Sequence, residues 1–396
     1  MSRTLFVTHT PIVPVRSGST RRRLNLIHAL GALGPVDVLH VGECGGADDT
    51  AAIGEPVADV LSFPARRRSP SAPVKLAWLA HPTEPFEVLE WDRRSTADSP
   101  VAGRRYDVVW YCRALGFALA PPVDAPVRIV DLDDLEDDKL TQRLADGGLS
   151  GRARLITRRN ALAWARCQRR IATAVDAVTV CSDDDRARLG VPNGWVVPNG
   201  VPAPTHVERR PEPCTVLLIG FFPYEPNTDA AEFFVRDVLP PIVERMPDVR
   251  VRLVGRPSDR VRALAGPRVE VVGEVPDMAA ELARATITVA PVRLGSGTRV
   301  KIIEAFAAEV PVVATPLGAA GLDAVDGEHC LVASTATDLA DACVRLLGDP
   351  SLRARLVDAA AHLYRRRFST ERVDEAVLGI IDTARSRARL GLEYHP

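Results

Sequence analysis

The chain has 396 residues, 46% of them hydrophobic, 26% charged and 5% aromatic, which excludes a disordered, collagenous or disulfide-stapled protein and predicts two or three domains with ordinary cores. Basic and acidic residues nearly cancel, 50 against 51 for a formal charge of −1, so no overall field holds a polyanion and nucleic acid is not an expected partner. The seven cysteines, Cys44, Cys112, Cys167, Cys181, Cys214, Cys330 and Cys343, are scattered without a CxxC pair or a histidine at zinc-ligand spacing. They read as reduced, mostly core thiols of a cytoplasmic protein. No apolar run is long enough for a membrane span, so a protein neither secreted nor membrane-spanning is expected.

Residues 5–7 predict a strand, residues 20–33 a helix with Leu24, Ile27 and Leu30 at helical spacing, and residues 36–41 a second strand. Strand character returns at 59–63, 107–112, 127–130 and 177–181, alternating with helical stretches. Such alternation predicts a parallel sheet covered by helices. The arginine-rich stretch 152–170 reads as a solvated helix with an apolar stripe of Leu155, Ile156, Leu162, Ala163 and Ala165; contact with an anionic acceptor or a membrane is the alternative. A short strand at 195–202 runs into a polar, proline-rich linker. Strands at 215–220, 249–255, 269–272, 286–290, 310–314 and 330–333 then predict a second α/β series. The expected layout is an N-terminal acceptor domain over 1–201, a linker over 202–213, a donor domain over 214–370 and a terminal helix over 371–396 packing back on the first domain.

Lysine occurs only at Lys75, Lys139 and Lys301. Lys301 lies in segment 290–308, where a strand ends at Pro291 and a glycine-flanked turn leads to a helix with Thr298 as its expected N-cap and Ile303, Phe306 and Ala307 as its core face. Free N–H groups at such a helix start bind phosphate at the carboxyl end of a parallel sheet. Arg299 and Lys301 add two positive charges there, and Glu304, on the same helical side, can accept two hydroxyl hydrogen bonds. The alternative is an ordinary strand-turn-helix with Lys301 and Glu304 as a surface pair. A Walker A loop fails at Val300 and Ile302, and GxGxxG fails at Val300.

In the first half, Gly18 lies in the loop 14–20, where it would let a backbone approach a ligand, with Ser19 or Thr20 capping the next helix. This loop is expected to face segment 290–308 across a cleft. His9 beside it reads as a structural histidine before a catalyst. The acidic run 131–138 contains Asp131-x-Asp133; Asp131 is expected to be a turn residue and Asp133 or Asp134 to point into the cleft, with metal binding the minor reading.

Taken together, Pro198-Asn199-Gly200-Val201, Gly220 with Pro226-Asn227-x-Asp229-Ala230, Val254-Gly255-Arg256, Gly273-x-Val275-x-Asp277, Gly295-Ser-Gly-Thr-Arg299-x-Lys301-x-x-Glu304-Ala305, Pro311-Val-Val313 and Gly318-x-x-Gly321-Leu322 resemble the retaining GT-B glycosyltransferases of the family-four, or group 1, type. The likeness is to the exopolysaccharide and sugar-transfer branch. It implies two doubly wound Rossmann-like parallel-sheet domains facing across a cleft. It also implies a nucleotide-diphosphate sugar as co-substrate, a hydroxyl acceptor (a glycan, lipid-linked glycan or natural product), and neither a tightly bound cofactor nor a metal.

Carried over residue by residue, the base would lie by Arg256 and Val275, and Glu304 would hold the ribose. Lys301, Arg299 and the main chain at Gly18 would neutralise the diphosphate, with Asn227, Gly297 and Thr298 completing the donor site. Two positions depart from the family: Ser296 stands where a first Glu contacts the donor sugar, and the acidic run stands where a His is frequent. Asp133 or Asp134 becomes the candidate in place of that His, with Asp134 grouped with Lys301 and Arg299 as catalytic. A non-catalytic sugar-nucleotide-binding partner or regulator of a transferase is the second reading, and a sugar-nucleotide epimerase the third. Arg21, Arg22 and Arg23 leave open peripheral contact with the inner membrane face, against a plain solvated triplet.

Overall fold

The structure is a computed structural model that describes residues 2–15, 17–42, 53–67, 78, 84–92, 99–145, 148–204, 207–295 and 297–390. Cys44 and Ser296 lie outside them. The chain divides into two compact units, residues 1–198 with 373–396 and residues 199–372.

In the first unit, strands β1 (Thr4–Thr8), β2 (Val36–Val41), β3 (Val57–Phe63), β4 (Val108–Cys112), β5 (Val127–Asp133), β6 (Ala177–Val180) and β7 (Gly194–Val196) form one sheet in the order β3-β2-β1-β4-β5-β6-β7. Every neighbouring pair is parallel. Parallel strands need crossovers, and helical crossovers cover both faces of the sheet; β1, β2 and β4 are accordingly buried at every residue. The two-residue period sorts their side chains. Phe6, Val38, Trp110 and Ile129 pack with Leu26, Ile27 and Leu30 of the helix Gly18–Gly31, whereas Leu5, Val7, Tyr111 and Val130 pack with Trp164, Cys167 and Ile171 of the helix Gly151–Ala172. Val377, Ile380 and Ile381 of the last helix, Thr370–Leu390, join the first of these layers.

Three expectations for this unit are corrected. The first helix begins two residues earlier than read, with Ser17 as its N-cap in a reciprocal capping box with Thr20, so neither Ser19 nor Thr20 is the cap. Arg22 and Arg23 are 3% and 4% exposed, because this helix turns them inward beneath the strand ends; the solvated or membrane-facing triplet does not exist. In the helix Gly151–Ala172, Leu155, Ile156 and Leu162 are exposed and Trp164, Cys167 and Ile171 form the core face. The expected apolar stripe is thus on the wrong side, sharing only Ala163 and the neighbouring small residues with the true one.

In the second unit, β8 (Thr215–Ile219), β9 (Arg250–Val254), β10 (Val269–Gly273), β11 (Ile287–Ala290), β12 (Val312–Ala314) and β13 (Leu331–Val332) are ordered β10-β9-β8-β11-β12-β13, again all parallel. Val216, Leu218, Leu253 and Val289 face one layer with Phe234, Ile242 and Leu346. Leu217, Ile219 and Val312 face the other with Ile303, Phe306, Tyr364 and Phe368. Gly255, directly after β9, has φ +123°, and a Cβ there would run into the Gly220 carbonyl oxygen. Gly255→Ala should therefore destabilise this unit by more than the roughly 1–3 kcal/mol of backbone strain alone, read as a lower urea midpoint for the second unit's unfolding transition.

Among the described residues Cys112, Cys167, Cys181, Cys330 and Cys343 are buried core residues, with Cys214 half-buried. Among the described residues no helix is long and apolar enough to cross a membrane.

Candidate active site

In a doubly wound sheet the strand order reverses at one point, and the loops leaving the carboxyl ends of the two strands there diverge to leave a crevice. In the second unit those strands are β8 and β11. The loop after β8 leads into the helix Glu225–Phe233, which carries Asn227 and Asp229; the loop after β11 leads into the helix Val300–Ala307, which carries Lys301 and Glu304. The two loops are tied together. Arg293 makes a two-pronged ion pair with Asp229 at 2.7 and 3.1 Å and lies 4.1 Å over the Phe233 ring centroid. Gly295, at φ +91°, passes so close to Pro226 and Tyr224 that a Cβ would lie 3.2 and 3.3 Å from them.

Lys301 is held by this arrangement. Its Nζ donates to Asn227 Oδ1 at 2.8 Å, and Asn227 Nδ2 donates to the Phe221 carbonyl at 2.9 Å. Burial, followed by the Arg299 guanidinium, lowers Lys301 from 10.5 to about 7 against the opposing charge of Glu304. Arg299 folds back on its own loop, Nη2 donating to the Gly295 carbonyl at 2.7 Å. Arg299, and not Thr298, occupies the N-cap position, with no side-chain capping bond, which corrects the expected cap. The helix core face is Ile302, Ile303, Ala305 and Phe306, while Ala307 is only half-buried.

Arg256 is exposed just after β9, and its carbonyl accepts from the Phe222 N–H at 2.9 Å. Val275, past the end of β10, is half-buried and packs against the same cluster as Val300. The structure thus brings Asn227, Arg256, Val275, Gly297, Thr298, Arg299, Lys301 and Glu304 to the carboxyl edge of one sheet. Two repelling cations stand there, one of them costly to keep charged, in a place suited to an anionic ligand.

At the carboxyl edge of the first sheet the reversal falls between β1 and β4. His9 follows β1, Gly18 and Ser19 open the helix, Arg113 follows β4 and Asp133 ends β5. Gly18 is helical, outside the left-handed region, so its backbone conformation does not require glycine. Arg113 and Asp133 do have left-handed backbones, φ +65° and +62°, each costing about 1–3 kcal/mol, and their side chains pair at 2.9 Å. Arg113 also donates to Ser19 Oγ at 3.0 Å and lies 3.4 Å from Glu136 Oε1. Burial, then Arg113 and Arg23, lowers His9 from 6.5 to about 4, which leaves it neutral near pH 7.

Asp131 is a fully buried strand residue and not the expected turn residue. Its carboxylate takes both prongs of Arg22, at 2.6 and 2.9 Å, and the Thr179 hydroxyl at 2.7 Å, while Arg22 Nη1 donates to the Val197 carbonyl at 2.7 Å. Burial alone would raise Asp133, but Arg113 and Arg22 outweigh it and hold its carboxyl below the usual range. Asp134 goes the other way, pushed up by burial and then by the Asp133 charge, with the Cys181 thiol 3.4 Å from Oδ1 and Lys139 Nζ 3.7 Å from Oδ2. Ligand atoms of Asp133, Asp134 and Cys181 lie within 4.8 Å of one another. The cluster is a poor metal site: the Asp133 charge is already met by two guanidinium groups, and burial drives the Cys181 thiol well above its ordinary value.

The family model for glycosyl transferases group 1 matches residues 213–349. Phosphatidyl-myo-inositol mannosyltransferase of Mycobacterium leprae is 35% identical over 184 residues, 44% of this chain and 48% of that protein. The protein of the same name from Mycobacterium tuberculosis H37Rv is 32% identical over 181 residues, 43% of this chain and 47% of that one. The chain spans about half the length of the curated relatives it matches. Similar solved structures cover nearly all of it: Anabaena Alr3699/HepE in complex with UDP and glucose, at TM-score 0.62 and 13% identity over 97% of this chain and 100% of that one, and sucrose-phosphate synthase from Thermosynechococcus elongatus, at 0.64 and 19% over 98% and 99%. The fold is GT-B. Within it, residues 213–349 are the part of the chain that is similar to the group 1 glycosyl transferases.

Arg113 and the Arg293–Asp229 tie were not singled out from sequence. Asp229 belongs to the Pro226-Asn227-x-Asp229-Ala230 segment, whereas nothing local marks Arg113, whose left-handed backbone would suggest glycine or asparagine.

Proposed function

We propose that the protein is a glycosyltransferase that moves a sugar from a nucleotide-diphosphate sugar to a hydroxyl acceptor with retention of anomeric configuration. The observation that carries this reading is Lys301: a recessed amine, lowered to about 7 by burial and Arg299, fixed by Asn227 at the reversal point of the donor-type sheet. An arriving diphosphate would restore the full charge of this amine and pair with Arg299. Two fixed cations then stabilise the leaving group without a metal. Glu304, one turn on, would accept the ribose hydroxyls, with the base by Arg256 and Val275. The bond from the anomeric carbon to the diphosphate oxygen breaks as the acceptor oxygen attacks the same face, and the acceptor proton passes to the leaving phosphate. The solved structure of Anabaena Alr3699/HepE with UDP and glucose supports a nucleotide-sugar reading, and the mannosyltransferase relatives support a glycosyl acceptor reaction. Asp134, the carboxyl pushed upward in the first unit, is the proposed acceptor-side group.

The test is acceptor-dependent release of nucleoside diphosphate from a panel of nucleotide sugars, with the product's anomeric configuration read by NMR. An inverted product would refute retention. Diphosphate binding without release in any acceptor would favour the non-catalytic reading. Glu304→Ala should weaken nucleoside-diphosphate binding by roughly 10- to 100-fold, since unpaired ribose hydroxyls cost about 1–3 kcal/mol, measured by titration calorimetry.

A further inference from the structure

The helix Gly151–Ala172 carries seven arginines and no acidic residue, in a chain whose formal charge is −1. Its inner face is occupied by the sheet. On its outer face Leu155, Arg158, Leu162, Arg166 and Arg169 follow at intervals of three and four residues, which places them on one side of the helix. Leu155 and Leu162 are 70% and 50% exposed, and Ile156 beside them 47%. Among the described residues, the side chains of Arg152, Arg154, Arg158, Arg166 and Arg169 make no hydrogen bond or ion pair, while Arg170 pairs with Glu84 and Arg159 lies over Trp78. Leu162 and Arg158 of this face also border a recess of about 400 Å³ that Leu144, Ala161 and Arg154 line, together with one carboxylate, Asp137.

A solvated helix needs no leucine at the centre of its outer face. A nucleic acid would meet the arginines but would leave Leu155 and Leu162 uncovered. The boundary between headgroups and acyl chains in an anionic bilayer satisfies both features: aliphatic side chains enter the acyl region while arginines reach back to the phosphates. We propose that the outer face of the helix Gly151–Ala172 docks on an anionic lipid surface, the helix lying along it for about 33 Å. This proposal stands apart from the donor reading, whose residues belong to the second unit.

The test is co-sedimentation of the full chain with phosphatidylcholine vesicles, with and without phosphatidylglycerol. Binding is expected only when the anionic lipid is present, and it should weaken as salt is raised. Arg158→Gln/Arg166→Gln should weaken it by roughly 10- to 30-fold, at about 1 kcal/mol for each arginine near the surface. Leu155→Ser/Leu162→Ser should weaken it with the net charge unchanged. Both pairs are surface changes, so melting temperature and nucleoside-diphosphate binding should stay at wild-type values, which separates failure of this proposal from failure of the donor site. Absence of binding to anionic vesicles, equal binding to phosphatidylcholine alone, binding unaffected by either pair, or binding to polyglutamate but not to vesicles would each overturn it.

Discussion

Replacing Lys301 by alanine should lower turnover of a nucleotide-sugar donor by about 100- to 1,000-fold, the usual loss when one preorganised group that stabilises developing charge is removed. The effect should appear in kcat more than in KM, because charge on the leaving diphosphate grows as the glycosidic bond breaks. A pH dependence follows from the same amine. In the ligand-free protein Lys301 titrates near pH 7, so affinity for a nucleoside diphosphate should fall as pH rises from about 7 toward 9, approaching tenfold per pH unit, with net proton uptake on binding. Lys301→Ala should abolish that dependence. The effect on stability has the opposite direction. Unfolded, the amine titrates at 10.5, so below about pH 7 both states hold the proton and the cost of burying the charge is full; that cost is relieved as pH rises from about 7 to 10.5. The ligand-free protein should therefore gain stability from this group over the pH range in which it loses diphosphate affinity. Isothermal titration at three pH values, beside melting curves at the same pH, checks both directions.

Arg22→Met should destabilise the first unit by about 3–5 kcal/mol, the cost of leaving one member of a buried ion pair without its partner. Arg22 is buried against Asp131, and its remaining prong satisfies the Val197 carbonyl. Asp131 keeps only the Thr179 hydroxyl if Arg22 is lost. The double variant Arg22→Met/Asp131→Leu removes both charges and should be more stable than Arg22→Met alone, since an apolar replacement of a buried pair is often close to neutral. Hydrogen exchange in β5 and β6 reads the effect within the unit without assuming that the whole chain unfolds in one step. Arg22→Met within about 0.5 kcal/mol of wild type would show that the pair contributes no more than an exposed one.

What could be read from the sequence, and what could not, follows from the range of the interactions. Runs such as Val216–Ile219 and Leu5–Val7 are apolar at successive positions because both faces of a parallel strand are covered, so two α/β series are legible without knowing their partners. The segment around Lys301 was visible because lysine is so rare in this chain. Arg22 was not, since its burial depends on Asp131, 109 residues away, and a run of three arginines carries no local sign of an inward turn. Ser17 lacks the usual capping signature in sequence, because its capping-box partner is Thr20 and not Glu or Gln. In the helix Gly151–Ala172, arginines spread round the whole circumference make two apolar faces possible, one with Leu155 and Leu162, the other with Trp164, Cys167 and Ile171. The sheet selects the second by contact with β4 and β5, which composition alone does not reveal. The left-handed pair Arg113 and Asp133 is a product of tertiary structure throughout, two strained residues held by each other at the ends of adjacent strands.

The central claim is that the carboxyl edge of the second sheet is a nucleoside-diphosphate site built on Lys301. Thermal unfolding of wild type and Lys301→Ala with UDP, GDP, ADP, CDP and dTDP at pH 6.5 tests it most directly, because a ligand at ~100 times its dissociation constant adds about 2.7 kcal/mol to the state that binds it. The account predicts that one diphosphate raises the melting temperature of the wild type and that the shift is largely lost in Lys301→Ala. No shift with any diphosphate, or an equal shift in the variant, would contradict it.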